Sequence, residues 1–220
     1  GRDTGCTFAP EAGSDRMRAV INKTIPSRQV FDVAREVFER GWQTIKLYFM
    51  IGLPGETDLD VEGIVALTGR VRSAFSGGGR VSVGLSPFVP KPRTPFAWSP
   101  MAGEADLRRK LAALRRELAG RGVRVTASGP KEARVEGALA RAGREAAEAI
   151  RLHALEGAPW KSAFRRAGVD LRELLDTERD TRAVFPWEVI DAGPEVDVLR
   201  RAYERALSGR QGARGAVEGR

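Results

Sequence analysis

Residues 44–60 read TIKLYFMIGLPGETDLD, and this stretch decides the fold. Its first part, residues 44–51, is an apolar run rich in β-branched and aromatic residues. A run of this length and composition is typical of a parallel strand that is buried on both faces. Gly52 and Gly55 then permit a sharp turn and a close approach of the backbone to a ligand. The stretch therefore predicts a buried strand followed by a glycine turn.

A helix is predicted directly after this turn. Thr57 and Asp60 form the S/T-x-x-D/E signature of a helix start. In parallel α/β folds, ligands bind where a strand passes into its helix. The turn by itself leaves two readings open, a ligand site or a purely structural turn, because no P-loop or G-x-G-x-x-G pattern is present. The rest of the chain has to decide between them.

The composition indicates a globular protein with a real core. The chain has 220 residues, 42% of them hydrophobic and 30% charged, which suits one domain or two small ones. No apolar run approaches the length of a membrane span and no leader pattern opens the chain, so we expect a cytoplasmic protein without membrane contact. A single cysteine, Cys6, excludes internal disulfides and a self-contained thiolate metal site. The chain starts at Gly1 in mid-pattern, and we expect a piece of a longer protein.

A formal net charge of +8 raises the question of nucleic acid. The basic residues are scattered between acidic ones and no nucleic-acid-reading motif accompanies them, so this function is not favoured. The alternative function that remains open is a non-catalytic basic adaptor that binds RNA or a partner protein.

The first half of the chain alternates strands and helices. Strands are predicted at residues 6–10, 44–51 and 80–89, each followed by an amphipathic helical pattern. This order predicts three βα units with parallel strands, in an open sheet or part of a barrel. We assign residues 1–119 to this part.

The second half has a different texture. Residues 120–207 form a mainly helical extension with one short strand near residues 123–126, and residues 208–220 a disordered Gly/Arg-rich tail. His153 is expected to be a packed histidine rather than a ligand. Trp160 and Trp187 are expected to be core or domain-contact aromatics.

Three strings each fall at the exit of one predicted strand, and they read TFAPEAGSDRMRAVINK, KLYFMIGLPGETD and SPFVPKPRTPF. In this order and spacing, they resemble radical S-adenosylmethionine (SAM) enzymes of the type associated with a cobalamin-binding domain. The resemblance covers residues 7–118 and weakens to a PWEVID match near residues 186–191. Arg141-Ala-Gly-Arg144 departs from the family, where relatives tend to have Arg-Gly-Asp-Arg.

The resemblance implies the C-terminal half of a (β/α) barrel of about six units, in which the predicted strands correspond to the last three. The family binds a 4Fe–4S cluster through a cysteine triplet after the first strand. This chain has no such triplet, so the cluster ligands would lie outside it, in a missing N-terminal half that is the expected partner. Whether cobalamin binds to the full-length protein stays open.

The resemblance also implies residues for SAM. Glu11 falls where relatives contact the methionine or ribose portion, and Lys23 where relatives hold the SAM carboxylate. Met50 and Val89 match the positions that pack on adenine and read its edge, and Gly52 lies in the ligand-side turn. The alternative roles are a turn-capping acid for Glu11, a solvated cation at a helix end for Lys23 and an ordinary core residue for Met50. A further departure is Tyr48, which stands where several relatives have an aspartate for the ribose hydroxyls.

Two cations follow the last predicted strand on a proline-rich loop. Lys91 and Arg93 would face the mouth of such a barrel, where they either hold an anionic substrate or are simply solvated. The sequence does not identify the substrate or the reaction.

Overall fold

The computed structural model describes residues 5–75, 79–190 and 193–214. Its strands are β1 (Gly5–Glu11), β2 (Thr44–Ile51), β3 (Arg80–Pro87) and β4 (Arg124–Ala127). The helices that accompany the sheet are α1 (Asp15–Val20), α2 (Ser27–Glu39), α3 (Asp58–Ser73) and α4 (Glu104–Ala119). The later helices are α5 (Pro130–Arg141), α6 (Ala146–Glu156), α7 (Trp160–Arg166), α8 (Leu171–Asp176) and α9 (Val196–Arg214), and a 3-10 helix covers Pro95–Trp98.

Within the described residues, the four strands form one parallel sheet in the order β1-β2-β3-β4. The α/β prediction is confirmed, and β2 has the bounds expected from its apolar run. The short strand near residues 123–126 is also present, and it adds a fourth strand to the predicted three because it pairs with β3. In a barrel cut before its fourth strand, residues 80–89 would be an exposed edge. That expectation is wrong, since β3 lies between β2 and β4.

The two faces of the sheet are buried to different degrees. Ile45, Leu47, Phe49 and Ile51 of β2 are buried in a core with apolar residues of α2, α3 and α4, whereas Tyr48 is 40% exposed on the opposite face. Burying each of these large side chains contributes about 1.5–3 kcal/mol. The prediction that β2 is buried on both faces is therefore wrong. Alternate residues of a strand point to opposite faces, and on the second face Tyr48 is exposed whereas Met50 is partly buried in a cluster with residues of α1 and α9.

Local signals determine the helices that cover the sheet. Thr57 and Asp60 form a capping box at the start of α3, as predicted. The four leucines spaced along α4 are all buried, and Gly41 ends α2 with a φ of 88°. The buried leucines of α4 are Leu107, Leu111, Leu114 and Leu118. The helices pack against the sheet because each turns one apolar stripe towards it.

The later helices build a second core. Residues of α5 to α8 pack around Phe164 and Leu175, and α9 packs on α1 and on the 3-10 helix. Trp160 stacks on Phe164 with 5.5 Å between ring centroids, and Trp187 stacks on Phe185 at 4.5 Å, which agrees with their predicted packing roles.

Two predicted loop segments lie partly outside the described residues. The predicted glycine loop at residues 77–79 includes residues 77–78, which lie outside them. Helix α9 continues to Arg214 through the first half of the tail predicted to be disordered, and residues 215–220 again lie outside. No helix in the described ranges combines the length and apolar character needed to cross a membrane.

Candidate functional site at the carboxyl edge of the sheet

Glu11 and Lys23 meet at the end of β1. The Lys23 ammonium lies 3.3 Å from Glu11 Oε1, and the side chains of Lys23 and Glu11 are 29% and 31% exposed, respectively. Glu11 has a φ of 67°, the left-handed region that non-glycine residues rarely occupy, and the pairing of β1 with β2 shifts register just before it. Such strained positions cluster at functional sites. The structure thus joins two residues predicted to share one site.

Lys23 is held in place by a buried arginine that the sequence did not single out. Arg18 is fully buried, and the N–H of Lys23 donates to its backbone oxygen at 2.8 Å. The Arg18 guanidinium donates to the backbone oxygens of Ala12 (2.6 Å) and Ile25 (2.7 Å) and to Ser27 Oγ (2.5 Å). These bonds fix the chain on both sides of Lys23. Arg18 is therefore a structural residue that positions Lys23.

The exit of β1 is locked to the start of α3. Ser14 caps α1, accepting from Met17 N at 3.0 Å, and its hydroxyl donates to Asp60 at 2.5 Å. Arg16 forms an ion pair with Asp60. Burial raises the pKa of Asp60, but its hydrogen bonds from Arg16, Ser14 and Thr57 outweigh that effect and hold the pKa below its usual range. Asp60 thus serves both as a helix cap and as a bridge between two strand exits.

The two chain segments also touch through glycines. A Cβ on Gly63 of α3 would lie 2.8 Å from the carbonyl carbon of Gly13. A Cβ on Gly13 would collide with the backbone of Asp60 and Ile64. Both positions need glycine because backbone meets backbone there.

The glycine turn after β2 is occupied by an internal ion pair. The Gly52 N–H donates to Glu56 Oε2 at 2.7 Å, and the Lys110 ammonium lies 2.9 Å from the same oxygen. The side chains of Glu56 and Lys110 are only 3% and 7% exposed. A Cβ on Gly52, whose φ is 74°, would lie 2.7 Å from Leu107 and 2.8 Å from Ala102. In this structure the Gly52 backbone therefore faces Glu56 and α4 rather than open space.

The charges of this pair are balanced within the protein. Burial raises the pKa of Glu56 against the opposing charge of Lys110. Burial lowers the pKa of Lys110, but the charge and hydrogen bonds of Glu56 and the contact with Asp106 at 3.0 Å reverse this and raise the pKa. Lys110 is therefore charged at neutral pH. Glu56 and Lys110 were missed from the sequence because 54 residues separate them.

Met50 and Val89 lie in different clusters. Met50 is partly buried at the exit of β2 beside Leu53 and Phe88, and Ser86 of β3 is its partner in the sheet. Val89 instead packs against the core of the later helices. The two positions that the resemblance assigns to adenine thus have different surroundings.

Lys91 and Arg93 are engaged with other parts of the chain. Lys91 forms an exposed ion pair with Glu136. Arg93, whose φ is 53°, donates to the backbone oxygens of Ile190 at 3.0 Å and Pro194 at 3.2 Å. Both predicted substrate cations therefore have internal partners here.

The more exposed face of the sheet is polar. The Tyr48 ring lies over Gly84 of β3, where a Cβ would be 2.6 Å from ring carbons. The Lys46 ammonium lies 4.5 Å from the centroid of the Tyr48 ring, within range of a cation–π interaction. Thr7 and Ser82 flank Lys46 on the neighbouring strands. A cation, an aromatic ring and hydroxyl groups thus line a partly exposed surface, on which Tyr48 is 40% exposed.

Part of the positive charge is neutralised by local ion pairs. Many arginines pair with acidic residues of the same helix, which neutralises them locally. Examples are Arg28–Asp32, Arg35–Glu39, Arg40–Glu36, Arg108–Glu104 and Arg151–Glu148.

A groove of about 920 Å³ lies among α5, α7 and α8 and the start of α4. Lys131, Trp160 and Asp176 are among its lining residues. It shares no lining residue with the Glu11–Lys23 pair or the open sheet face.

His153 is packed, as predicted. Its Nδ1 lies 2.9 Å from the Ala158 oxygen, and its ring stacks on Trp160 at 4.0 Å between centroids. In the described ranges, no group of three or more His, Cys, Asp or Glu side chains is arranged to hold a metal ion. Cys6 is partly buried and packs against the core on the helix side of the sheet.

The chain is similar to an uncharacterized protein of Methanocaldococcus jannaschii. The two are 36% identical over 121 residues, which amount to 54% of this chain and 26% of that protein. The aligned part is thus about a quarter of the relative's length. No protein-family model and no solved structure matches the chain.

Proposed function

We propose that this chain is the C-terminal part of a radical SAM barrel and supplies part of the SAM pocket at the carboxyl edge of its sheet. The observation that carries the proposal is the partly exposed Glu11–Lys23 pair at the exit of β1, on a strained backbone. Parallel α/β folds bind their ligands at this edge.

The sheet architecture supports a barrel rather than an open doubly wound sheet. Each strand pairs with the next one along the chain, and the helices α2, α3 and α4 share a core with one face. A doubly wound sheet reverses its strand order at a switch point and has helices on both faces. The open polar face would then form part of the barrel interior, with Lys46 and Tyr48 towards the substrate.

The residues at the β1 exit fit SAM. Lys23 carries a cation that is reachable from solvent and would hold the SAM carboxylate as a point charge. Glu11 would accept hydrogen bonds from the SAM amino group or ribose, and Met50 offers a partly buried apolar surface for adenine. Gly52 fits less well, because its N–H already donates to Glu56.

The chemistry would come from the bound groups. A 4Fe–4S cluster, with ligands outside this chain, and SAM supply the radical when bound, and the protein orients them and excludes competing reactions. Glu11 and Lys23 would bind the charged end of SAM, and Asp60 would keep the exits of β1 and β2 together.

Calorimetry of SAM binding to the complete protein tests the proposal. Lys23→Ala should weaken SAM binding by about 1.5–3 kcal/mol, the range for hydrogen bonds to charged groups, or roughly 10- to 150-fold. Lys131→Ala is the control, since it removes a lysine from the large groove and should leave the affinity unchanged. If Lys23→Ala leaves the SAM affinity unchanged, or if only Lys131→Ala lowers it, the exit of β1 is not the SAM site.

A further inference from the structure

Arg141, at the end of α5, is a buried cation with most of its donors unused. The residue is 1% exposed. Its Nη1 donates to the backbone oxygen of Ser99 at 2.8 Å. Its Nε and Nη2 are buried and have no hydrogen-bond partner among residues 5–75, 79–190 and 193–214. An arginine has five N–H donors and no acceptor, so this guanidinium calls for an acceptor.

Its neighbours also present unused donors. The Trp98 indole N–H and the Ser99 hydroxyl are buried and unpaired within the same described ranges. Arg179 lies beside them: its N–H donates to the Trp98 oxygen at 2.9 Å, and its guanidinium sits 5.2 Å from the centroid of Phe185. Buried polar groups in native proteins are nearly always paired. The hydrogen bond from Arg141 to the Ser99 oxygen makes these residues neighbours, and together they lack acceptors for their buried donors.

The local charge is positive, and the carboxylate of Glu173 opposes it at Arg179 but not at Arg141. Burial and the charge of Arg179 lower the pKa of Arg141 to about 10, which still leaves it protonated at neutral pH. Burial also lowers the pKa of Arg179. The nearby carboxylate of Glu178 accepts the hydroxyl hydrogen of Tyr203. An unpaired buried charge is strongly destabilising, and a water molecule would not neutralise it.

We propose that Arg141, Ser99 and Trp98 bind a small inorganic oxyanion of the phosphate or sulfate class, enclosed by the chain. An oxyanion offers several acceptor atoms and the negative charge that Arg141 lacks. The unpaired atoms are shielded from solvent, so the ion is a buried structural ligand acquired as the chain folds. The site shares no residue with the proposed SAM pocket and stands independently of it.

Inorganic phosphate is the probe for this site. The melting temperature of the full chain is measured at increasing phosphate, with chloride holding the ionic strength constant. We expect a rise of about 5–10 °C when phosphate reaches about 100-fold its Kd, because the ion binds the folded state only. The rise should be absent in Arg141→Met. Arg144→Met removes an exposed arginine three residues away and should retain the full rise.

The sign of the effect without phosphate is a second test. In chloride alone, Arg141→Met should be at least as stable as the wild type, because it removes an unpaired buried charge. Equilibrium dialysis with radiolabelled phosphate should find one site per chain in the wild type and in Arg144→Met, and weaker binding in Arg141→Lys. Equal phosphate binding in all variants would indicate an adventitious ion only and would overturn the proposal. So would a wild-type melting temperature that phosphate and chloride affect equally.

Discussion

The buried pair Glu56–Lys110 gives a prediction with a calculable size. Lys110→Met removes the ammonium 2.9 Å from Glu56 and leaves that carboxylate, 3% exposed, with the Gly52 N–H as its remaining partner among the described residues. Breaking a buried pair by removing one partner costs about 3–5 kcal/mol. For a chain of this size, the melting temperature should fall by roughly 6–20 °C.

The loss should come from the stranded carboxylate. Adding Glu56→Gln to Lys110→Met should therefore restore most of the stability, since glutamine keeps an acceptor for Gly52 without a charge. Arg108→Met is the matched control on the same helix. Its ion pair with Glu104 is exposed, so its loss should cost about 0–1 kcal/mol.

The stability loss of Lys110→Met should also depend on pH, because it comes from the buried carboxylate of Glu56. Burial raises the pKa of Glu56, and without Lys110 the main opposing contribution is gone and the Gly52 hydrogen bond remains. A carboxyl group whose pKa is raised on folding favours the folded state at low pH and loses that contribution as the pH rises through the folded pKa. The deficit of Lys110→Met should thus be full at neutral pH and close as the pH falls towards 4.5. Urea denaturation followed by tryptophan fluorescence measures it. A loss under about 1 kcal/mol, or a double variant as unstable as the single one, would refute the reasoning.

Two further predictions concern the contact between the strand exits. Gly13→Ala should destabilise the chain by about 3 kcal/mol or more in urea denaturation, because the added methyl group meets backbone atoms. Gly69→Ala is the control: its methyl group has room on α3, and it should stabilise the chain by up to about 1 kcal/mol. Equal effects of the two substitutions would contradict the close approach at Gly13. Asp60→Asn should cost about 1.5–3 kcal/mol at neutral pH. Because folding lowers the pKa of Asp60, the stabilisation by this carboxylate is present above pH 3.8 and is lost as the pH falls through the folded pKa. The stability curves of the wild type and of the Asp60→Asn variant should therefore converge in acid. Curves that stay parallel would exclude this role of Asp60.

Local patterns in the sequence determined most of the elements. The apolar run gave β2 its bounds, the Thr57–Asp60 signature gave the start of α3, and the leucine spacing gave the buried stripe of α4. These features depend on neighbours within a few residues, so periodicity and capping are enough to predict them. The positions of Glu11 and Lys23 at one strand exit were likewise expected before their contact was seen.

Tertiary packing alone decided which surfaces are covered and which charges meet. An apolar run such as residues 44–51 does not reveal that one face of its strand is buried more completely than the other, because that depends on where α2, α3 and α4 dock. Glu56 and Lys110 read as ordinary surface charges until the turn and α4 bring them together out of water. Arg141 likewise gives no local sign of burial. Such partners lie far apart in the chain, and their energetics depend on desolvation, which only the folded arrangement sets.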